Sequence, residues 1–537
     1  MPPRSVRRYL LFALAWSLAV ALWASLPSLL IASHAPAGAY YAGGVQNTED
    51  ACFYISQLAD GAEGAWLLAN RMSGESAGAG EFRPFFTLAG LLGKLVGLSP
   101  TATYRALNVI GAFLAALALS LLSGWMLGWS RAAMAASVLI LLSAGPVALL
   151  PAGWRDVLAG TYGILPAEEI ISESNTYRAL AATGGHFAFS LLFQVIVFWT
   201  WARAIGGSRR TLIGLVASVF ALGTTHPYDL PPLALAALLA LLLPAAEARA
   251  WRLSCLVVLF ACVPVIGYRA WLLVDPAAGS QYPEVFLNSP NPYTYLLALM
   301  PYCLLVPWAA RGVPASQRLG ARILSCWMAA VVACLYLPIS IQRRMVEGLH
   351  WMAGLCGMAG AAHLWSRRAE WRRDARPWCI AALCAVLVVL GLVPNLRFPF
   401  AIAGWAASRP EEYFLSRPER SALAYCGRNL PPGSVIASSR ALGPYVAART
   451  PHRAFVAHYH LTHQLRDKLE ALETILHPAT LPLERKHLLL RENVTHLIFG
   501  PREAAMTPWR PGGDPALSEV YATPDGAVRV YAVVREE

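Results

Sequence analysis

Eleven apolar runs, near residues 9–31, 101–127, 132–150, 187–204, 211–225, 230–246, 253–274, 293–310, 321–340, 349–365 and 377–396, decide what this chain can fold into. About 20 apolar residues in helical form cross a bilayer with every backbone N–H and C=O satisfied internally, so such runs read as membrane helices. The 57% share of hydrophobic residues, against 14% charged ones, agrees. The reading is a polytopic α-helical membrane protein of about 11 spans over residues 1–396, with a soluble α/β domain over 397–537. A cleaved signal peptide is the competing reading of residues 1–33, but that run is long for one.

The formal charge of +12 is a loop property here, not a nucleic-acid signal. With a cytoplasmic N-terminus, the inner segments carry seventeen arginines and the longer outer loops only eight Arg or Lys. That is the positive-inside bias, and it places the C-terminal domain outside, as at a bacterial-type inner membrane. Carboxylates run the other way: of seventeen before residue 397, fourteen lie outside or at outer helix ends. The ten cysteines are scattered and mostly sit in apolar runs, so they read as small buried hydrophobes.

The first outer loop, 32–100, far exceeds what joins two helices. Its stretch "QNTEDACFYISQLADGAEGAWLL" (46–68) repeats Cys52, Ile55, Ala59, Ala62 and Trp66 at helical spacing. That spacing predicts an amphipathic helix lying flat on the outer leaflet. Asn47 or Thr48 can cap it, which puts Glu49 and Asp50 in the first turn, where backbone N–H groups favour negative charge. A second juxtamembrane helix is expected over "FRPFFTLAGLLGKLVGL" (82–98).

A basic N-terminus, one span, then "TEDACFYISQLADGAEGAWLLANR" and "FRPFFTLAGLLGKLVGLSPTATYRALNVIGAFL" resemble the start of a GT-C glycosyltransferase. The resemblance covers mainly residues 1–130. It implies transfer of a sugar from a polyprenyl-phosphate donor to an extracytoplasmic glycan, lipid or protein acceptor, with an acid of the first outer loop as base. That role maps onto Asp50, with Glu49 the alternative. A clean D-x-D pattern is absent: the adjacent acids of "TED" point to different sides of a helix. The chain also resembles multispan bacterial members of this superfamily that have no assigned substrate.

Other outer residues can serve such chemistry. In "LPAEEIISESNTYRALAATGGHF" (165–187), Glu168, Glu169, Glu173, Asn175 and His186 are candidates for the acceptor or for a divalent ion such as Mg or Mn; helix capping is the competing reading. "THPYDL" sets His226, Tyr228 and Asp229 at a tight turn, where Pro227 and Asp229 also suit the turn itself. Arg343 and Arg344 in "SIQRRMVEGLHW" (340–351) stand in an outer loop against the charge bias. Fixed guanidiniums there suit a departing lipid phosphate. Glu347 can orient an arginine, and His350 can bind phosphate or sugar. Arg269, near the outer end of its span, is a further phosphate candidate, with snorkelling to headgroups the alternative.

The tail alternates helix and strand signals: helical "SALAYCGRNL", "THQLRDKLEALETIL" and "LERKHLLLREN", and extended "SVIAS", "RAFVA", "THLIFG" and "AVRVYAVV". It has no Gly-rich phosphate loop. His452, His458, His460 and His463 cluster in "PHRAFVAHYHLTH", where they suit metal or a face turned toward the membrane site. The competing functions are a transporter or lipid flippase, and a non-catalytic envelope-assembly scaffold. A transporter calls for midplane charges and internal repeats, which the chain does not display.

Overall fold

The computed structural model describes residues 4–75, 80–145, 175–206, 208–244, 248–274, 287–339, 341–367 and 376–535. Among the described residues a helix lies in each of the eleven apolar runs. Among the described residues four are long and apolar enough to cross a membrane: Arg4–Ser33, Pro100–Leu127, Gly185–Ala204 and Arg249–Leu272. The run at 293–310 is not one straight helix. Pro292–Ala298 and Tyr302–Gly312 meet at 83°, with Pro301, which offers no backbone N–H, at the break. The chain is a multi-pass membrane protein, and its first helix shows why: Leu11, Leu14, Leu18 and Leu22 are more than half exposed, while Ala13, Val20 and Ala24 are buried. An apolar stripe at helical spacing left outside the core faces lipid.

The chain divides into two compact units, Met1–Pro27 with Ala106–Ala270 and Phe286–Ala401, and Ser28–Arg105 with Trp271–Val285 and Ile402–Glu537. The helical unit is centred on fully buried Trp201, Trp251, Trp327 and Trp351. A buried indole must find an acceptor for its N–H. Trp201 donates to Ser254 Oγ at 3.2 Å, Trp251 to the Ala240 carbonyl at 2.7 Å and Trp351 to Gln194 Oε1 at 2.9 Å.

The second unit holds a five-stranded mixed sheet. Its spatial order is Arg453–Ala454, Val435–Ala437, His496–Phe499, Arg529–Val533, Leu517–Ala522. The first three strands are mutually parallel, and Arg529–Val533 runs antiparallel to both of its neighbours. Strand Leu517–Ala522 and the short helix Gly443–Arg449 escaped the sequence reading. Helix Leu465–Leu476 lays Leu472, Ile475 and Leu476 into a core with Val435, Phe455, Leu489 and Leu497.

The segment between the first two long helices folds into this same unit. Tyr40–Tyr41 pairs with Phe414–Leu415 as an antiparallel ribbon. Helix Thr48–Ala62 packs between helices Pro84–Leu95 and Gly443–Arg449. It is therefore a helix buried on two sides, where an amphipathic spacing predicts one, and on the Pro84–Leu95 side the reason is close packing at glycine. A Cβ added at Gly90 would lie 2.4 Å from the Leu58 carbonyl oxygen, and one at Gly61 2.7 Å from the Phe86 carbonyl. Trp66 lies beyond the helix end and is exposed.

Candidate functional site

In the second unit the site begins with a helix cap. Asn47 Oδ1 accepts from the backbone N–H groups of Glu49 (2.9 Å) and Asp50 (3.2 Å). Both carboxylates are thereby fixed in the first turn, where the helix dipole complements their charge. Glu49 is then engaged at both oxygens: Oε1 accepts from Arg440 at 3.0 Å and Oε2 from the Tyr459 backbone N–H at 2.9 Å. Asp50 Oδ1 lies 2.7 Å from His458 Nε2. His458 Nδ1 accepts from the backbone N–H groups of His460 (2.9 Å) and Leu461 (3.2 Å). A ring nitrogen that accepts carries no proton, so Nε2 holds it and donates to Asp50. The histidine is buried, with 3% of its side chain exposed, while Asp50 keeps 32%.

That geometry is held by residues of the first loop. The Arg71 carbonyl accepts from the Ala454 N–H at 3.0 Å, Asn70 Nδ2 donates to the Leu461 carbonyl at 2.8 Å, and Thr462 Oγ1 donates to the Met72 carbonyl at 2.8 Å. Lys468 pairs with Glu75 at 2.5 Å and bonds Ser73 Oγ at 3.0 Å. On the far side, buried Glu503 accepts from the Ser439 and Gly500 N–H groups at 2.7 and 2.9 Å, fixing the turn that carries Arg440. A cavity of about 340 Å³ opens here, lined in part by Asn47, Thr48, Glu49, Tyr413, Arg440 and Tyr445.

The helical unit carries a separate cluster. Helix Arg209–Thr225 stops at His226, because Pro227 cannot continue the hydrogen-bond ladder, and Pro227–Asp229 makes one 3-10 turn. The turn brings Asp229 Oδ2 to 3.2 Å from His226 Nδ1. Glu347 follows the turn Gln342–Val346 and sets Oε2 2.9 Å from the same nitrogen. Ser190 Oγ donates to Asp229 Oδ2 at 2.5 Å. All three are buried, at 3–4% exposure. Gly348, at φ +85°, turns the chain from Glu347 into helix Leu349–Ser366.

Neither a protein-family model nor a curated protein matches the sequence. Solved structures do match in fold. Oligosaccharyltransferase of Archaeoglobus fulgidus, in its apo form, aligns with a TM-score of 0.53 at 13% identity over 97% of this chain and 74% of its own. ArnT of Cupriavidus metallidurans, in its apo state, aligns at 0.50 and 15% identity over 97% of each chain. Both are GT-C glycosyltransferases. The fold is the GT-C fold.

The likeness in fold spans 97% of this chain, beyond the first 130 residues that carry the resemblance in sequence. Of the residues singled out, Asp50 and Glu49 meet partners from the tail, and His226, Asp229 and Glu347 meet one another. Glu347 turns to His226. Tyr228 is edge-on to His226 at 5.4 Å, and His186 packs on Phe187, which packs on His226. Arg343 is buried and Arg344 half-buried in the turn before Glu347. His350 is buried, with Nδ1 2.9 Å from Thr176 Oγ1. Asn175 caps helix Thr176–Ala181 and bonds the Ser143 carbonyl and Asn395. Arg269 is half-buried in helix Ala248–Val274. Glu168, Glu169 and Glu173 lie outside the described residues. Arg440 was not legible as a site residue. His458 stood out only as one of four clustered histidines, and nothing local distinguishes it from His460 or His463.

Proposed function

We propose that this protein is a glycosyltransferase that moves a sugar from a polyprenyl-phosphate donor to an extracytoplasmic acceptor, with Asp50 as the general base. The observation that carries the assignment is the Asp50–His458 hydrogen bond. A neutral hydroxyl is a weak nucleophile, and a positioned carboxylate assists most as the proton leaves in the transition state. Asn47 and the helix N-terminus fix the Asp50 backbone, and His458 fixes one carboxylate oxygen. His458 is a positioning residue: its Nδ1 is committed to two backbone N–H groups, so the ring holds Asp50 and does not relay protons through to the tail. Glu49 is held by Arg440 and by the Tyr459 N–H, and the resemblance at the first outer loop maps the role onto Asp50.

The fold supports the reaction class. A crystal structure of the Archaeoglobus oligosaccharyltransferase carries a tethered acceptor peptide, and that enzyme aligns with this chain at a TM-score of 0.51. For the donor, Arg343 and Arg344 in one short turn suit a lipid phosphate as its charge develops. The arginine bias of the loops supports a cytoplasmic N-terminus and a site on the opposite face.

The test is donor turnover by the full chain in proteoliposomes, with radiolabelled polyprenyl-phosphate hexoses and pentoses and an envelope extract as acceptor. Wild type should release label into the acceptor fraction and Asp50→Asn should not. Equal transfer by the two would sink the assignment of the base, and no transfer from any donor by wild type would sink the reaction.

A further inference from the structure

The geometry points to a divalent transition-metal site at His226, Asp229 and Glu347 of the helical unit. Three potential ligand atoms, one from each residue, lie within 4.8 Å of one another. His226 Nδ1 is 2.9 Å from Glu347 Oε2 and 3.2 Å from Asp229 Oδ2. Metal–ligand bonds of about 2.0–2.2 Å set neighbouring donors about 3.0 Å apart at right angles and about 3.4 Å apart at the tetrahedral angle. The observed separations fall in that range.

A hydrogen-bonded ion cluster would give similar distances, and the orphaned atoms separate the two readings. Asp229 Oδ1 and Glu347 Oε1 are buried with no hydrogen-bond partner among the described residues, and His226 Nδ1 and Glu347 Oε2, though 2.9 Å apart, are not aligned as a hydrogen bond. Buried polar atoms are ordinarily satisfied, so carboxylate oxygens left over beside an unaligned Nδ1–Oε2 pair call for a ligand that is not a hydrogen-bond donor alone. A cation coordinated by Nδ1 and the two carboxylates meets that need and balances two buried negative charges. Ser190, donating to Asp229 Oδ2, orients one ligand from outside.

The donor set also selects the ion. An imidazole nitrogen with two carboxylates suits Mn²⁺ or Zn²⁺, whereas Mg²⁺ and Ca²⁺ favour oxygen throughout. When bound, such an ion supplies Lewis acidity toward an anionic group such as a phosphate. The site stands on its own geometry and does not depend on the transfer reaction.

The experiment uses the full chain in detergent, stripped with EDTA, then dialysed against Mn²⁺ or Zn²⁺ alone and measured for bound metal and affinity. Wild type should retain about one ion per chain, and Mg²⁺ at equal concentration should not displace it. Glu347→Gln and Asp229→Asn should weaken binding by at least about tenfold, and Ser190→Ala, which leaves the ligands in place, by roughly tenfold. Co²⁺ absorption of wild type should show a nitrogen–oxygen ligand field that is lost in His226→Gln. His460→Ala with His463→Ala, in the other unit, should bind like wild type. No retained ion in folded wild type overturns the proposal. So does an ion that survives Glu347→Gln but is lost with the tail histidines. Because metal uptake is read without donor or acceptor, either result leaves the glycosyltransferase reading to its own test.

Discussion

His458 and Asp50, 408 residues apart in sequence, are joined by a 2.7 Å hydrogen bond in which the histidine holds the proton. Loss of the base should cost on the order of 10²–10⁴-fold in transfer rate, the usual range for a positioned general base. Asp50→Asn tests that directly. His458→Gln, which retains an N–H donor, should keep more activity than His458→Phe, and both should leave KM for the donor little changed. Initial rates over a range of donor concentrations separate these outcomes. Equal rates for the Gln and Phe variants would remove the positioning role.

Buried Arg485 ties the tail together. It donates to the Ile475 carbonyl at 2.7 Å and the His477 carbonyl at 2.9 Å, pairs with Asp514 and stacks over Trp509 at 4.1 Å. Truncating one partner of a buried pair leaves the other charge uncompensated, at a cost of about 3–5 kcal/mol. Arg485→Ala should lower the thermal midpoint of the detergent-purified protein markedly. Arg440→Ala, whose pair with Glu49 is partly exposed, should change stability by no more than about 1 kcal/mol.

Gly348 should not accept a side chain. Its φ of +85° disfavours L-residues, and an added Cβ would sit 2.1 Å from Gln194 Oε1, the acceptor for Trp351. Left-handed backbone at a non-glycine residue costs about 1–3 kcal/mol before the clash is counted. Gly348→Ala should therefore melt earlier than Gly404→Ala, where a Cβ would meet nothing within 4 Å. Comparable melting of the two would show that the turn relaxes freely.

Acid should weaken the second unit through His496. Burial, with the charges of His452 and Arg535 adding to it, pushes this imidazole down to about 4, against about 6.5 in an unfolded chain. The folded state thus binds fewer protons than the unfolded one between those values. The stabilising contribution is present in full above pH 6.5 and is lost as pH falls toward 4. Thermal midpoints from pH 7.5 to 4 should decline more steeply for wild type than for His496→Gln; parallel curves would assign the decline to other groups.

How much of this was legible in the chain depends on the range of the forces involved. Hydropathy is summed over neighbours along one segment, so eleven apolar runs marked eleven helical regions. Asn47 was readable as a cap, and Pro227 as part of a turn, because capping and the missing proline N–H act within one turn. The tail strands "SVIAS" and "THLIFG" were evident, whereas Leu517–Ala522 was not: Ser518, Glu519 and Val520 are exposed, and the strand exists by pairing with Arg529–Val533. The same limit governed the sites. Which of four clustered histidines meets Asp50 depends on Asn70, Met72 and Thr462 fixing one loop against another. Whether Glu347 turns to an arginine or to His226 depends on two turns more than a hundred residues apart. The sequence by itself determined the helices, the caps and the candidate acids, because those are local; only the tertiary structure decided their partners, because hydrogen-bond geometry and burial arise when distant segments close on one another.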